Sequence, residues 1–566
     1  MASWDESFDF VIVGSGGGGL VAALAAFDVG LKPVVIEKQQ FVGGSTSMSG
    51  GVVWLPNNPL MQADGVPDSH AAGLDYLESV VGPADEGSSL ERREAFLTEG
   101  VEMVSFIQRK GVELERCDGY SDYYDNRKGG NARGRAVECS PWDGKQLGEW
   151  YTRINPGLAR GLRLAVKTNE MRYLTVYNRA PEAFAITARA VLRTYVSKLL
   201  GKDLFTNGMS LVGQLTKIIV DSGIPLWLDA RVEDLIVEAD RVVGVRVVRY
   251  GVPVLVRGSR GVLLAAGGLE RNPEMRMKYT KDTQPNDGTH TMGNLGNTGE
   301  VLAAAIALSA KVEYMDEAVW DPSPRPEIAW SSLALARQYP HTIYVNKQGR
   351  RFCNESNSYV EVTRQMYANN ATPAWLIFDD EYRRRHPWGF GLPTLRNLGS
   401  ALPGRMPRQW VDKGWIKTAP TIEGLAKQIE IDPQALTSTL REWNTNAAAG
   451  RDPEFHRGES QYNKVLGDPG HKPNQAVGPI EKSPFYATEI FPGDVGTAGG
   501  VITDRYARVL DQENKPIPGL YATGKMSATV MGRTYPGAGA SIANTTVFGY
   551  VAARHAALQP GERATS

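Results

Sequence analysis

Cysteine is almost missing from this 566-residue chain: Cys117, Cys139 and Cys353 stand far apart, with no CxxC pair. That excludes a disulfide framework and the ligand spacing of a zinc site, and it fits a reducing compartment. No run of about 18 apolar residues occurs, so no membrane-spanning helix is expected. Neither sign of charge is in excess. With 62 Lys and Arg against 63 Asp and Glu the net charge is −1, so no overall field gathers nucleic acid. The first residues, Met-Ala-Ser-Trp-Asp-Glu-Ser, carry two acids and no basic region, unlike a signal peptide, and a cytoplasmic location is expected. There is no internal repeat and no low-complexity tract. The length exceeds what one hydrophobic core usually supports, which predicts two or three domains.

Glycine, by contrast, is abundant where it matters. Phe8–Val13 reads as a short buried strand and runs straight into Gly14-Ser15-Gly16-Gly17-Gly18-Gly19 and a helix-forming Leu20–Ala26. Gly30 closes that helix, and Pro33–Glu37 reads as a second strand. This is a βαβ dinucleotide fingerprint in its required context. Gly14 allows the tight turn, Gly16 lets backbone approach a pyrophosphate, and Gly19 lets helix pack on strand. Gly17 adds to the helix N-terminus, whose free N–H groups and partial positive charge suit phosphate. Glu37, 18 residues past Gly19, is placed to accept hydrogen bonds from ribose hydroxyls and to repel a 2′-phosphate.

The segment after Glu37 separates NAD from FAD. Gly43, Gly44, Ser45, Thr46, Ser49, Gly50 and Gly51 bring small residues and hydroxyls against a longer cofactor, where an NAD domain usually continues into an ordinary helix. Three later segments extend the pattern. They are the alternating strand around Val232, the buried strand Gly261–Gly268 with Ala266 and Gly267 at its end, and Gly519–Gly524, which repeats that form.

In this order the segments resemble the flavoprotein family that includes fumarate reductase, succinate dehydrogenase flavoprotein subunits and the 3-ketosteroid dehydrogenases. The resemblance covers nearly the whole chain. It implies an α/β fold in which a Rossmann-like FAD-binding domain, split between residues 1–275 and 485–566, encloses an α+β catalytic domain at 276–484. It also implies FAD contacts from Lys38, Ser541 and Ile542 besides the residues above. Position 45 is serine, not the histidine or cysteine a covalent flavin link usually needs, so the FAD is expected to be non-covalent.

Four stretches are similar to the 3-ketosteroid Δ1-dehydrogenases in particular: Gly119–Tyr124, Arg351–Tyr359, Pro492–Gly500 and Met531–Ile542. The sequence departs from that pattern at Arg533, where histidine is typical, at Ala538, where proline is typical, and at Asn357-Ser358, where a proline commonly precedes the tyrosine. By this resemblance, Tyr535 hydroxyl and Gly539 N–H bind the substrate ketone, Tyr359 removes the carbon 2 proton as a phenolate, and Tyr123 assists it, with Tyr124 as the alternative. A glycine suits the second donor because backbone must come within reach of the ligand. Ketone donors, a base and a flavin are what loss of a proton beside a carbonyl and of a hydride from the next carbon requires. A free tyrosine titrates near 10, so Tyr359 is expected to be lowered by its neighbours. The implied partners are a steroid and an external electron acceptor.

Alternatives within the family are a Δ4-(5α)-dehydrogenase or a fumarate-reductase-like enzyme; outside it, a flavin sensor without turnover. Of the seven histidines (70, 290, 341, 386, 456, 471, 555), only His290 lies near a glycine-rich loop, which disfavours a dicarboxylate clamp. Trp320, Trp330, Trp375, Trp388 and Trp410 are candidates to wall a flat apolar pocket. Residues 183–200 predict an amphipathic helix on which Val191, Leu192, Tyr195 and Leu199 cluster. Such a helix either packs on the FAD domain or lies in a membrane surface to collect a hydrophobic substrate.

Overall fold

The last four residues of β1 (Glu6–Val13) are an uninterrupted apolar run and wholly buried, a pattern that demands cover on both faces. In the computed structural model, which describes residues 4–157, 164–282, 284–328, 332–389 and 402–559, β1 is a central strand of an eight-stranded sheet. It pairs in parallel with β2 (Pro33–Ile36), which pairs with β3 (Leu226–Trp227). Strands β4 (Ala230–Glu238) and β5 (Arg241–Arg249) form an antiparallel extension on β6 (Val252–Leu264), the other parallel neighbour of β1.

The second sheet is five-stranded and antiparallel, built from β7 (Ala318–Pro324), β8 (Thr342–Val345), β9 (Ala374–Asp379), β10 (Lys417–Ala419) and the long β11 (Phe485–Thr497). The chain then returns to the first sheet through β12 (Arg508–Leu510) and β13 (Pro516–Ala522), the latter parallel to β6. The nucleotide sheet is thus assembled from both ends of the chain. Its partner sheet lies between them and uses residues as late as 497.

Helix α1 (Gly17–Asp28) starts directly after β1 and is buried from Gly17 to Ala26. Four further helices matter to the site. They are α2 (Gly44–Met48), α3 (Pro181–Leu199), α4 (Tyr359–Ala368) and α5 (Ala540–Leu558). Helix α5 crosses α1 closely at a pair of glycines: a Cβ on Gly549 would lie 2.3 Å from the Gly18 carbonyl oxygen, and one on Gly18 would lie 2.3 Å from Thr545 Oγ1. Both helices join β1, Trp54 and Phe96 in the largest core cluster.

Helix α3 inverts the expected burial. Ala183, Thr187, Ala190 and Thr194 face inward, and Thr194 Oγ1 accepts from the Ala165 amide at 2.9 Å. The large side chains point out: Phe184, Leu192, Tyr195, Val196 and Leu199 are all exposed, Leu199 at 87%. Packing of that apolar cluster on the FAD domain is therefore not what the fold shows; the small residues make the packing face. The tryptophans also depart from expectation. Trp320, Trp388 and Trp410 are buried and Trp375 packs on the core, all away from the cavity described below, and Trp330 lies outside the described residues.

Candidate active site

Several strand ends line up. Val13 pairs with Ile36 on one side and Leu264 on the other, and Leu264 pairs with Ala522. The segments leaving these strands converge at one sheet edge, the place where open α/β sheets bind ligands. Gly14, Gly16, Gly17, Glu37, Lys38, Ala266, Gly267 and Gly524 all line a cavity of about 500 Å3 there. Gly44, Ser45, Thr46, Ser49, Gly50 and Gly51 from around α2 line it too, as do Val232 on β4 and Ser541 and Ile542 on α5. Gly19 and Gly43 do not. A Cβ on Gly19 would meet the Gly14 oxygen at 2.0 Å, and one on Gly43 would meet Val212 at 2.7 Å, so both are needed for packing behind the wall.

The turn itself is a cradle. Gly14 has φ +108 and no room for a side chain, whereas at Gly16 nothing approaches an added Cβ closer than 3.8 Å. Bare backbone thus faces an open groove of the kind a pyrophosphate needs. One amide is already spoken for: Gly17 N–H donates to Thr46 Oγ1 at 3.0 Å. The Glu37 carboxylate accepts from Ser15 N–H and Oγ at 3.0 and 2.7 Å and from Gln39 N–H at 2.9 Å. Lys38 turns to Thr298 and Glu300. Sequence reasoning missed Asn297, whose Nδ2 donates to Ser45 Oγ at 3.1 Å and to the buried Glu270 at 2.6 Å. Its position depends on a loop far along the chain, with no local signal.

Further along, the cavity wall becomes phenolic. Tyr123, Tyr359 and Tyr535 bring their ring centroids within 5.5–5.8 Å of one another, and Tyr123 hydroxyl donates to Tyr359 hydroxyl at 3.4 Å. Tyr124 is not in this wall. Tyr120 is, and Tyr462 packs tilted against Tyr123 with ring centroids 4.5 Å apart; neither was singled out in the sequence. Tyr535 hydroxyl accepts from Ser541 N–H at 3.4 Å, and the Gly539 amide also bears on it. Gly539 has φ +94, and a Cβ there would lie 2.2 Å from the Val52 oxygen, so no other residue fits.

Each tyrosine is fixed by a buried polar frame. Tyr359 opens α4 after a loop in which Glu355 is bound by Arg351 at 2.9 Å and Arg457 at 3.1 Å, with Asp452 on the far side of Arg351. Tyr123 comes directly after Asp122, which pairs with Arg135 at 2.8 Å and accepts from Trp54 Nε1 at 2.8 Å. The carbonyl of Pro536 accepts from Tyr76 hydroxyl at 2.7 Å and Tyr123 N–H at 3.0 Å, tying the tyrosine-rich loop to the Tyr535 loop. Breaking such a buried pair by removing one partner costs about 3–5 kcal/mol. Asp494, in the Pro492–Gly500 stretch, is held by Arg276 at 3.0 Å and Thr291 at 2.5 Å. His290 stacks on Phe491 outside the cavity. Arg533, on the wall, is engaged by Asp316 at 2.9 Å and Glu317 at 3.0 Å.

The electrostatics correct one expectation. Burial, reinforced by the neighbouring Tyr535, pushes the Tyr359 phenol well above 10 instead of lowering it, and burial moves Tyr123 the same way.

A glycine-lined nucleotide groove that opens into a pocket of buried phenols is the architecture of a flavin-dependent α/β protein. The FAD binding domain model matches residues 9–542, and the chain belongs to that family of flavoproteins. Among its relatives, the 3-oxosteroid 1-dehydrogenase of Mycobacterium tuberculosis is 39% identical, over 99% of this chain and all of the relative. The 3-oxosteroid 1-dehydrogenase of Mycolicibacterium smegmatis is 38% identical over 97% of both chains. The crystal structure of 3-ketosteroid Δ1-dehydrogenase from Sterolibacterium denitrificans, in complex with 1,4-androstadiene-3,17-dione, superimposes with a TM-score of 0.88 at 34% identity, covering 98% of this chain and 99% of that one.

The two kinds of glycine separate experimentally. Gly16→Val points into the open groove and should fold and melt like the parent apoprotein yet lose bound FAD, read as the flavin absorbance retained after gel filtration. Gly19→Val should fail at folding, losing soluble yield and melting temperature; equal behaviour of the two variants would contradict the cradle.

Proposed function

We propose that this protein is an FAD-dependent dehydrogenase that introduces a double bond between carbons 1 and 2 of 3-ketosteroids. The observation that carries the reading is the phenol triad of Tyr123, Tyr359 and Tyr535, set with the Gly539 amide on the wall of the cavity that the nucleotide glycines also line. Full-length similarity to enzymes of that name supports it. FAD, bound when the enzyme is loaded, supplies the two-electron acceptor. Among the described residues no histidine or cysteine lines the cavity, in keeping with non-covalent binding. Residues 1–275 and 485–566 would bind it and 276–484 would shape the substrate side, with β11, at the start of 485–566, pairing into the substrate-side sheet.

In this scheme Tyr535 hydroxyl and Gly539 N–H bind the ketone oxygen and stabilise the enolate that forms as the carbon 2 proton leaves. Tyr359 receives that proton, with Tyr123 donating to the same oxygen and steadying its charge. The electrons pass to an external acceptor. A dicarboxylate substrate, as in fumarate reduction, is less well matched, since Arg533 on this wall is already bound by two acids.

Helix α3 extends the reading to a membrane surface. Its exposed Phe184, Leu192, Tyr195, Val196 and Leu199 lie beside exposed Arg189 and Lys198, the composition of an interfacial helix that meets a hydrophobic substrate where it is stored. No helix among the described residues is long and apolar enough to cross a membrane.

Anaerobic 4-androstene-3,17-dione should bleach the flavin and yield the 1,4-diene by mass spectrometry, and Tyr535→Phe should slow bleaching by about 100-fold or more. Reoxidation of reduced flavin by fumarate, without bleaching by steroid, would favour the reductase. Because the deprotonated phenol is the stronger base and its pKa is raised, flavin reduction should be faster at pH 10 than at pH 7; equal rates with chemistry limiting would contradict Tyr359 as base. Leu192→Glu with Leu199→Glu should abolish co-sedimentation with anionic vesicles without changing turnover of dissolved steroid.

A further inference from the structure

One acid on the cavity wall stands apart from the polar frames. Asp321, on β7, lines the same cavity as Tyr359, and β7 packs against α4, which Tyr359 opens. Its backbone is fixed by antiparallel pairing with Gly493 on β11. Its side chain accepts no hydrogen bond from any described residue, unlike the other acids around the site. Asp122, Glu355 and Asp494 are each bound by an arginine, and Glu317 by Arg533 and Trp320. A half-buried carboxylate with open lone pairs, on a wall whose other charged groups such as Glu317 and Arg533 are paired, is a costly feature to leave unused.

The base needs such a group. A phenol held above 10 is protonated at neutral pH, so it can take the carbon 2 proton only as it gives up its own. Tyr123 cannot be the final acceptor, because burial raises its phenol too. We propose that Asp321 accepts, through an intervening water in their shared cavity, the phenolic proton of Tyr359 as Tyr359 takes the proton from carbon 2.

The step balances. The carbon 2–hydrogen bond breaks and its electron pair passes into the enolate. Tyr359 oxygen gains that proton and releases its own to a bridging water, which passes one of its protons to the Asp321 carboxylate, while the hydride of carbon 1 would go to the oxidised flavin that the family's chemistry supplies. Asp321 then returns the proton to water through the cavity mouth. The charged and titratable groups facing it are consistent with this. Burial raises its carboxyl to about 6, Arg337 from the segment before β8 opposes the rise, and Asp494 on β11 adds to it. Tyr344 on β8 and Tyr359 on α4 feel its negative charge. It is therefore ionised and able to accept at pH 7, yet basic enough to hold a proton briefly.

The inference rests on the reading of Tyr359 as base, and the test keeps the two apart. The FAD-loaded enzyme is given a 3-ketosteroid deuterated at carbon 2, and washout of deuterium and flavin bleaching are recorded from pH 5 to 10. The parent should gain rate through about pH 6 as Asp321 ionises, and again toward pH 10. Asp321→Asn should lose the first rise, keep the second, and wash out deuterium about 100-fold more slowly at pH 7. Asp321→Glu should restore the first rise, which a merely structural role would not do. An Asp321→Asn enzyme with the parent's profile, while Tyr359→Phe is inactive, overturns the relay and leaves the proposed function standing. If no 3-ketosteroid bleaches the parent, the proposed function falls first. Should Asp321→Asn not fold, a parent profile without a rise near pH 6 overturns the relay by itself.

Discussion

The site depends on the contact between two helices that meet closely where each carries a glycine. Gly18 on α1 and Gly549 on α5 let backbone touch backbone, and the distance between the two helix starts is set by that contact. The start of α1 carries the nucleotide turn. The start of α5 carries Gly539 and, through the loop before it, Tyr535. Substrate donors and cofactor cradle are therefore spaced by one close packing event. The return of the chain through β13 to pair with β6 puts α5 there, which is why the nucleotide sheet draws on both chain ends.

Around this axis stand two polar frames, Arg351–Glu355–Arg457–Asp452 behind Tyr359 and Arg135–Asp122–Asp68 beside Tyr123. Buried ion pairs of this kind contribute little net stability, because desolvation offsets most of their attraction. What they supply is direction. Each arginine meets carboxylates or carbonyls at several points, so the loop before each phenol has few alternative packings. A rotation of Tyr359 away from Tyr123 would carry its loop off the Glu355 network, and the ring geometry is thereby inherited from charges that never touch substrate.

How legible this was in the sequence depended on whether the chemistry was local. The glycine turn, Glu37 and the small residues after it sit within about 50 residues of one another and are constrained by backbone geometry, so their spacing spoke for itself. Tyr359, Tyr535 and Gly539 were found through whole motifs resembling a known family, and the order of β6 and β13 agreed with it. Asn297, Tyr462 and Asp321 were invisible, since nothing near them in sequence says which cavity they reach, while Tyr120 lay within the Gly119–Tyr124 stretch without being singled out. The tryptophans misled for a physical reason. An indole buries more area than any other side chain, so it is drawn to the core, where Trp320 finds a partner for its N–H in Glu317. On α3 the error was in the face. Apolar periodicity fixes which residues lie together, and the crossing with neighbouring chain, tight enough to require alanine and threonine, decides which side is inward.

The phenols themselves set a limit that the rest of the fold has to answer. A pocket made dry and aromatic enough to receive a fused-ring ketone is one in which any negative charge is expensive, and the enolate, the phenolate and a carboxylate would compete for the same few donors. The amides of Gly539 and Ser541 converge on Tyr535, so stabilisation is concentrated at the ketone end of the wall. At the other end Tyr359 has the hydroxyl of Tyr123 as its donor. Charge is thus favoured on the ketone oxygen and disfavoured on the base, which draws electrons toward the enolate and leaves the departing proton with one escape. That escape must lie on the cavity wall, away from the Tyr535 donors, in a group that can carry negative charge before the reaction and lose it during the reaction. Asp321 is in that position because β7 packs against α4, and the same packing that closes the pocket over the substrate brings the carboxylate to it.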